Sequence, residues 1–334
     1  MTKILPTTPD HIQQAAAHLK SGELVSFPTE TVYGLGADAT NDEAVRKIFT
    51  AKNRPDFNPL IVHVNDRRMA EDYAVINDHA RLLMDCFWPG PLSIVLKRKT
   101  DTALSKLVSG GLDTVALRAP NHSTAQDLIK ATGKPIAAPS ANRSGTLSPT
   151  SPQHVKQSLD GQVDIILAGG KCHIGLESTI VDMSSDIPRI LRAGFILPSA
   201  ISDMLDEDVD VAIDHTEKDD RPLAPGQLLR HYAPQTPLRL KAIDLEKGEA
   251  LLAFGPVRFM ALRDHGAIPP EDIYNLSPDG DLTEAASNLF SLLHEIDQKG
   301  YKQIAAMDIP NKGLGVAIND RMTRAARAQN EERE

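Results

Sequence analysis

The chain has 334 residues, a length that predicts about two domains, each large enough for its own core. It contains 36 Lys and Arg against 45 Asp and Glu, which leaves a formal charge of −9, and only 4% of its residues are aromatic. Hydrophobic residues make up 41% and charged residues 24%, values that exclude a disordered chain. The net charge and the few aromatic residues argue against a protein that binds nucleic acid over its whole surface or by stacking on bases.

The first 205 residues alternate short apolar runs with amphipathic segments. Thr8-Pro9 is typical of a helix start, and apolar residues on one face extend that helix to Gly22. Further helices are predicted at 41–52, 78–87, 123–131 and 152–159, and buried strands at 24–27, 60–64, 92–96, 114–117, 136–138, 165–168 and 179–181. The mixture predicts one α/β domain over residues 1–205 with a largely covered sheet.

The composition changes at residue 206. Residues 206–220 contain eight acids and one lysine, and the chain from 221 to 234 is rich in proline. A like-charged stretch followed by prolines is typical of a solvated linker, since neither part suits a helix or a central strand. We therefore predict an extended linker over residues 206–237.

Strands and helices alternate again after the linker. Strands are predicted at 238–243, 251–254, 258–262 and 304–307, and helices at 282–298 and 318–328. The helix at 282–298 has the clearest pattern, because six of its apolar residues share one face. Residues 238–334 are thus expected to form a second, smaller α/β domain.

Five polar segments lie at the ends of predicted strands in the first domain. They are Phe27–Gly36, Lys52–His63, the strand that ends in Arg118, Ala137–Thr150, and Gly169–Asp182 with the nearby Arg192. They supply four cations, four hydroxyl groups and one imidazole: Lys52, Arg54, Arg118 and Arg192; Thr31, Ser140, Ser148 and Ser178; and His63. Guanidinium groups match carboxylates and phosphates, and loops of small residues let a ligand approach the backbone. The set therefore favours a polyanionic nucleotide bound beside a small zwitterion.

Each segment also has a purely structural interpretation. Lys52 and Arg54 would complement the dipole at a helix C-terminus, and His63 would be a hydrogen-bonded core residue. Arg118 would belong to an internal ion pair, and the serine-rich stretch 140–150 would be a flexible loop. Taken singly, the segments leave these alternatives open.

Several motifs are absent from the sequence. There is no nucleophile elbow, no zinc-protease motif, no Walker loop and no Rossmann glycine fingerprint, and Cys86 and Cys172 lack metal-ligand spacing. No apolar run approaches the ~18 residues of a membrane span, and the N-terminus lacks the apolar stretch of a signal peptide. We therefore expect a cytoplasmic protein with no membrane partner and no protein-bound metal, whose chemistry depends on positioning and charge neutralisation.

The polar segments resemble those of the YrdC-like family, specifically its two-domain threonylcarbamoyl-AMP synthases. The resemblance extends over nearly the whole chain. It is carried by Phe27–Gly36, Lys52–His63, Ala138–Ser148, Glu177–Asp182, Arg192-Ala193-Gly194, Ala224-Pro225-Gly226 and His231-Tyr232-Ala233-Pro234. The linker of the family typically begins Ser-Pro-Gly-Met, whereas this chain has Ala224-Pro225-Gly226-Gln227.

The resemblance implies a fold and a reaction. The expected fold is a YrdC-like twisted open sheet with a central concave cavity, a linker that covers the cavity as a lid, and a smaller Rossmann-like C-terminal α/β domain. The expected reaction is ATP-dependent synthesis of L-threonylcarbamoyladenylate from L-threonine, bicarbonate and ATP, with release of pyrophosphate. Mg²⁺ would be held largely by ATP oxygens and water. The product would pass to a partner threonylcarbamoyl transferase that modifies tRNA, which makes tRNA an indirect partner. An RNA-binding module of the same fold without adenylating activity is the alternative.

The resemblance also implies roles for individual residues. The L-threonine pocket would consist of Thr31, His63, Arg118, Ala138 through its backbone, and Ser178, with Arg118 on the carboxylate. The ATP contacts would be Arg54, Asn58, Thr114, Ser140, Ser148 and Arg192, joined by His231 and Tyr232 from the linker. Lys52 and Arg54 are the predicted catalytic cations, both acting on phosphate.

Overall fold

The computed structural model of the chain describes residues 1–212, 222–226, 232–257 and 266–330. The chain divides into two compact units, neither of which is one continuous stretch. The first comprises Met1–Ser144, Pro149–His173 and Glu177–Leu228, and the second comprises Gly145–Ser148, Ile174–Leu176 and Leu229–Glu334.

A mixed β-sheet forms the centre of the first unit. Its described strands are β1 (Lys3–Pro6), β2 (Val25–Phe27), β3 (Gly34–Asp38), β4 (Ile61–His63), β5 (Leu92–Lys97), β6 (Thr114–Arg118), β7 (Ile136–Ala137), β8 (Ile165–Ala168), β9 (Thr179–Asp182), β10 (Arg189–Arg192) and β11 (Asp210–Val211). They are ordered β1-β8-β2-β3-β7-β4-β6-β5-β9-β10-β11. β4 and β6 are parallel, as are β5 and β9, whereas β5 runs antiparallel to β6.

Helices pack on this sheet and begin at the capping residues that the sequence provides. They are α1 (Pro9–Lys20), α2 (Asp42–Lys52), α3 (Arg67–Glu71), α4 (Asp78–Phe87), α5 (Ser123–Thr132), α6 (Pro152–Leu159) and α7 (Pro198–Leu205). The Thr8 side chain accepts a hydrogen bond at the start of α1, and Asn41 does the same for α2. Helix α2 ends at Asn53, whose φ of 51° is left-handed, so the chain turns sharply there toward β4.

The side chains of the central strands alternate between two faces of the sheet. On one face, Val62 of β4, Leu117 of β6 and Val181 of β9 belong to the main hydrophobic core. The opposite face carries two other apolar clusters. One includes Phe27 and Ile136 and is covered by α1 and α5. The other, on the central strands, is much smaller and is made of Ile61, Val95, Ala116, Ile180 and Leu191 together with Ala224 of the linker. His63 and Arg118 are two residues beyond Ile61 and Ala116, and therefore share this second face.

The second unit contains a four-stranded parallel sheet. Its described strands are β12 (Leu238–Arg239), β13 (Glu249–Ala253), β14 (Ile273–Asn275) and β15 (Gln303–Ala306), in the order β12-β15-β13-β14. Helix α8 (Leu282–Asp297) connects β14 to β15, and α9 (Leu314–Asn330) follows β15. A parallel sheet with helical connections confirms the small Rossmann-like α/β fold expected for this region.

The fold class predicted from the sequence is confirmed, and most predicted elements lie within a residue or two of their expected bounds. Strands β1, β3 and β10 were not predicted. β3 reads Gly-Leu-Gly-Ala-Asp, which has little intrinsic strand preference; its place between β2 and β7 depends on tertiary packing. The strand expected at 238–243 ends at Arg239, and the strand expected at 258–262 lies outside the described residues.

Part of the predicted linker belongs to the first unit. Asp210 and Val211 form β11, which pairs with β10, and residues 213–221 and 227–231 lie outside the described part of the chain. None of the described helices is long and apolar enough to cross a membrane.

Candidate active site

Arg118 lies at the end of β6 and is almost completely buried. Its Nη1 donates to the Thr31 hydroxyl at 2.9 Å and its Nε to the Gly90 carbonyl at 3.2 Å. Its Nη2 lies 2.7 Å from Oε1 of Glu30, a carboxylate that is only 1% exposed. The internal ion pair that the sequence left open is therefore present. Within the described residues, Nη2 and both Glu30 oxygens make no aligned hydrogen bond, so the pair retains donor and acceptor capacity.

A hydrogen-bonded turn fixes Thr31 beside Arg118. The Thr29 hydroxyl donates to the Val32 carbonyl at 2.6 Å and accepts from the backbone N–H groups of Thr31 and Val32, each at 3.2 Å. It also lies 2.8 Å from the Thr31 hydroxyl. The Thr-Glu-Thr segment thus folds on its own backbone, as threonine hydroxyls often do, and presents Glu30 and Thr31 to the guanidinium.

His63 is aligned with Arg118 across the parallel strands β4 and β6. Its ring meets the ring of Phe27 edge-on, with 6.0 Å between the centroids. Burial, reinforced by the charge of Arg118, lowers the pKa of His63 to about 3. The imidazole is therefore neutral at physiological pH and offers one donor and one acceptor nitrogen.

Arg192 and Ser178 form a second polar group on the same face of the sheet. Nε and Nη2 of Arg192 donate to the Ser178 carbonyl at 3.0 and 2.9 Å, and Nη2 also donates to the Ser178 hydroxyl at 3.0 Å. That hydroxyl lies 2.8 Å from the hydroxyl of Ser93 on β5. Nη1 of Arg192 donates to the carbonyl of Pro225 at 3.2 Å, so this guanidinium binds the linker at residue 225.

A β-bulge gives Arg192 its direction. The register of β10 against β9 shifts between Ile190 and Arg192, so that Ile180 pairs with Arg192. Ile190 belongs to the main core, whereas Leu191 belongs to the small cluster on the opposite face. The extra residue brings Leu191 and Arg192 to the same side, as bulges commonly do when they redirect a side chain at a functional site.

The two predicted catalytic cations bind backbone oxygens on neighbouring loops. Lys52 is buried, and its Nζ donates to the carbonyls of Ser140 and Asn142 at 2.6 and 2.5 Å. Burial, together with the charge of Arg54, lowers the pKa of Lys52 well below its ordinary value. Nη2 of Arg54 donates to Oδ1 of Asn58 at 2.6 Å and to the Pro59 carbonyl at 2.9 Å.

The structure brings predicted residues of the first unit together in four groups. Arg118 binds Thr31 and is aligned with His63 across β4 and β6, Arg192 binds Ser178, Lys52 binds Ser140, and Arg54 binds Asn58. The backbone N–H of Ala138 donates to the Ile61 carbonyl at 2.9 Å, so this residue lies beside β4. Thr114 is on the same face of β6 as Arg118 but at the opposite end of the strand.

The remaining predicted contacts belong to the second unit or lie outside the described residues. The Ser148 carbonyl is 3.1 Å from Nε2 of His294 in that unit. The Tyr232 ring packs against Phe290 at 5.8 Å between centroids, and the Arg321 guanidinium lies 5.2 Å from its centre. His231 lies outside the part of the chain that the structure describes.

Sequence reasoning assigned no role to two residues of this site, Glu30 and Ser93. Glu30 was recognisable as the single acid in Phe27–Gly36. Ser93 was recognisable by its residue type, because a serine in the apolar run of β5 takes a position on the small-cluster face. Pro225 was identified as part of the linker motif Ala224-Pro225-Gly226, but its contact with Arg192 was not predicted, because it is made through a backbone carbonyl.

Two further observations concern cysteine and possible metal ligands. Burial raises the pKa of the Cys172 thiol to about 12, which keeps it protonated and unreactive as a nucleophile. Among the residues that the structure describes, no group of three or more His, Cys, Asp or Glu side chains is arranged to hold a metal ion.

Comparisons with known proteins agree in one family. The family profile Sua5_yciO_yrdC, described as "Telomere recombination", matches residues 17–194, and Sua5_C, described as "Threonylcarbamoyl-AMP synthase, C-terminal domain", matches residues 196–327. The chain is 40% identical to the threonylcarbamoyl-AMP synthase of Bacillus subtilis (strain 168) over 98% of this chain and 96% of that protein. It is 38% identical to the threonylcarbamoyl-AMP synthase of Pyrococcus abyssi over 94% of each chain.

Solved structures show the same relation. The crystal structure of P. abyssi Sua5 complexed with L-threonine matches with a TM-score of 0.87 and 34% identity, over 98% of both chains. Escherichia coli YciO matches 60% of this chain and all of its own length with a TM-score of 0.53; at 23% identity, this match concerns the fold alone.

Proposed function

The chain belongs to the threonylcarbamoyl-AMP synthase family, and on that basis we propose that its first domain makes L-threonylcarbamoyladenylate and pyrophosphate from L-threonine, bicarbonate and ATP. We further propose the division into a catalytic domain (1–205), a linker that covers the site (206–237) and a C-terminal domain (238–334). One observation carries this function. Two groups of polar side chains, one around Arg118 and one around Arg192, lie on the same face of the sheet, the face that the main core does not occupy.

The group around Arg118 is proposed to bind L-threonine. Its Nη2 retains donor capacity and would take the α-carboxylate, while the neutral imidazole of His63 and the hydroxyls of Thr31 and Ser178 suit a ligand that itself carries a hydroxyl. The backbone at Ala138 completes this proposed pocket. The side-chain hydroxyl distinguishes threonine from amino acids that lack one, so these neutral groups are the expected source of that selectivity, while the γ-methyl group distinguishes threonine from serine.

The proposed ATP contacts are Arg54, Asn58, Thr114, Ser140, Ser148, Arg192, His231 and Tyr232. Lys52 is proposed to act on phosphate directly and through the loop that it holds at Ser140 and Asn142. Mg²⁺, bound mainly by ATP oxygens and water, would neutralise further charge on the triphosphate. No protein nucleophile is required, because the threonine carbamate itself attacks the α-phosphorus and pyrophosphate leaves.

Water has to be excluded while the short-lived carbamate forms and reacts. Residues 224 and 225 of the linker have the contacts for such a role, since Ala224 is fully buried in the small apolar cluster and the Pro225 carbonyl accepts from Arg192. A covered site would keep the carbamate from decomposing and would strengthen the charge interactions within it. We propose that the product then passes to a threonylcarbamoyl transferase in the cytoplasm, with tRNA as the eventual acceptor.

Pyrophosphate release by the purified chain tests this function. We expect release that requires L-threonine, bicarbonate and ATP together, with L-serine giving a markedly lower rate. Equal rates without bicarbonate or with any amino acid would contradict the proposed reaction. The RNA-binding alternative predicts tRNA binding with a steep salt dependence and no turnover, and the family to which the chain belongs supports the synthase instead.

A further inference from the structure

Glu30 and Arg118 form a buried charge pair inside a site that is otherwise rich in cations. The two groups approach to 2.7 Å, with 4% of the arginine side chain and 1% of the glutamate side chain exposed. Arg118 shares its sheet face with Arg192, and Lys52 at the end of α2 and Arg54 in the loop between α2 and β4 are further buried cations. The proposed nucleotide brings several phosphate groups to the same site.

A guanidinium does not by itself distinguish a carboxylate from a phosphate, because its donors fit both. An uncompensated Arg118 would attract phosphate, pyrophosphate or the triphosphate of ATP, and a dianion would be favoured over a zwitterion. A carboxylate fixed 2.7 Å away cancels the charge of the guanidinium without using its Nη2 hydrogen bonds. The donors remain, while the net attraction for anions is removed.

We propose that Glu30 is a specificity-determining residue: by making the Arg118 subsite electrically neutral, it admits a zwitterionic amino acid and rejects phosphate and other dianions. This inference rests on the proposed function and deepens it. Glu30 acts through the charge of Arg118 and is in that sense a positioning residue.

The surrounding side chains support a neutral subsite. The His63 imidazole is uncharged because its pKa is lowered to about 3, and the Cys172 thiol is uncharged because its pKa is raised to about 12. Burial also lowers the pKa of His122, an imidazole that interacts with the charge of Glu30. The charge of the Arg118 subsite is therefore set by the guanidinium and the Glu30 carboxylate. Replacing Glu30 by its amide would change the net charge of the subsite by one unit with little change in volume.

Equilibrium binding of L-threonine to the full chain, without nucleotide, tests the proposal. Inorganic phosphate is the competitor, and ionic strength is held constant with potassium chloride. In the unmodified chain we expect a threonine Kd that does not depend on phosphate. In Glu30→Gln we expect phosphate to compete with threonine and to raise its apparent Kd by about tenfold or more at saturating phosphate. A merely structural role for Glu30 would weaken threonine binding without creating phosphate competition.

Two variants serve as controls. Glu30→Asp keeps the negative charge and should remain insensitive to phosphate. Asp38→Asn removes another carboxylate that is 1% exposed, one that pairs with Lys134 at the end of β3, and should also leave threonine binding insensitive to phosphate. Competition in Asp38→Asn equal to that in Glu30→Gln would overturn the proposal, as would a Glu30→Gln variant that binds threonine without phosphate competition.

Threonine binding to the unmodified chain, measured with and without phosphate, tests the proposal even where Glu30→Gln does not fold. Phosphate that displaces threonine competitively from the unmodified chain would show that the subsite is not neutral and would overturn the proposal. An unmodified chain that fails to bind threonine at all would contradict the proposed function itself. That result differs visibly from threonine binding that phosphate displaces.

Discussion

His63 links the proposed threonine pocket to the pH of the solution. Its pKa is lowered from 6.5 to about 3 in the folded chain, so the unfolded chain binds a proton more readily between these values. The neutral imidazole therefore contributes stability that is fully present above about pH 6.5 and is lost as the pH falls toward 3. The loss amounts to about 1.4 kcal/mol per pH unit for one proton.

We predict that His63→Gln flattens this dependence. Urea unfolding at pH 7 and pH 5 should show that the free energy of unfolding falls less in the variant than in the unmodified chain, because glutamine does not titrate. His11, a half-buried residue at the start of α1, provides the control: His11→Gln should flatten the pH dependence less than His63→Gln does. Equal slopes for His63→Gln and the unmodified chain would mean that His63 is protonated without difficulty in the folded state.

The lowered pKa of Lys52 leads to a second prediction, which concerns proton uptake when ATP binds. Its pKa is well below the ordinary value because it is buried and lies near the charge of Arg54. A phosphate group brought beside it would favour the charged ammonium and raise the pKa again. ATP binding should therefore take up a fraction of a proton, and the affinity for ATP should fall as the pH rises.

Calorimetric titration of ATP at pH 8 in two buffers of different ionisation enthalpy measures this uptake. We expect the observed enthalpy to depend on the buffer in the unmodified chain and to lose most of that dependence in Lys52→Met. Buffer-independent heats in the unmodified chain would show that no phosphate comes near enough to Lys52 to change its protonation.

At the scale of elements, the sequence predicted the parts whose pattern is local. Helix α2 was predictable from the Asn41 cap and its apolar face, and β6 from a run of residues ending in arginine. Strands β1 and β3 were not predictable, because their pairing with distant strands, and not their composition, makes them strands. The site followed the same division. Arg118 was predictable from its place at the end of a strand, whereas its pairing with Glu30 could be recognised only in the folded structure.

Residues 223 and 224 of the linker allow a direct test of whether the linker covers the proposed site. Ala224 is fully buried in the small apolar cluster, whereas the neighbouring Leu223 is 41% exposed. A carboxylate at position 224 would lie on an apolar surface without a partner, at a cost of several kcal/mol unless the segment leaves that surface. We therefore predict that Ala224→Asp lowers the rate of pyrophosphate release by about tenfold or more.

Leu223→Asp is the matched control for this change. It introduces the same charge one residue earlier in an exposed position, and we expect nearly normal turnover and thermal stability. Similar rates in the two variants would mean that the buried contact of Ala224 has no part in catalysis.

At the scale of the whole molecule, the two units are interleaved along the chain. Residues 145–148 and 174–176 lie within the sequence of the first domain but belong to the second unit. Ile174 and Leu176 are buried there, and a Cβ at Gly175 would lie 2.5 Å from the Ser287 carbonyl of α8. Cutting the chain after residue 205 would therefore leave two apolar side chains without their covering.

We predict that a fragment of residues 1–205 is poorly soluble and that Ile174→Ser with Leu176→Ser improves its solubility. Each apolar side chain that loses its cover exposes surface worth about 1.5–3 kcal/mol, which favours association of the fragments. The concentration that remains in solution after centrifugation measures the effect. Serine at Val155, which lies in the core of the first unit, should lower solubility instead.

The bulge in β10 makes the number of residues in this strand as important as their identity. In an unbroken ladder of the same three residues, Leu191 would pair with Ile180, and the guanidinium would turn to the side of Ile190, into the main core. Loss of Leu191 would also restore the ladder, but it would leave the arginine opposite Ile180, on its present face. An alignment that matches an arginine to Arg192 therefore identifies an equivalent side chain only where the relative keeps this bulge or lacks the residue at 191.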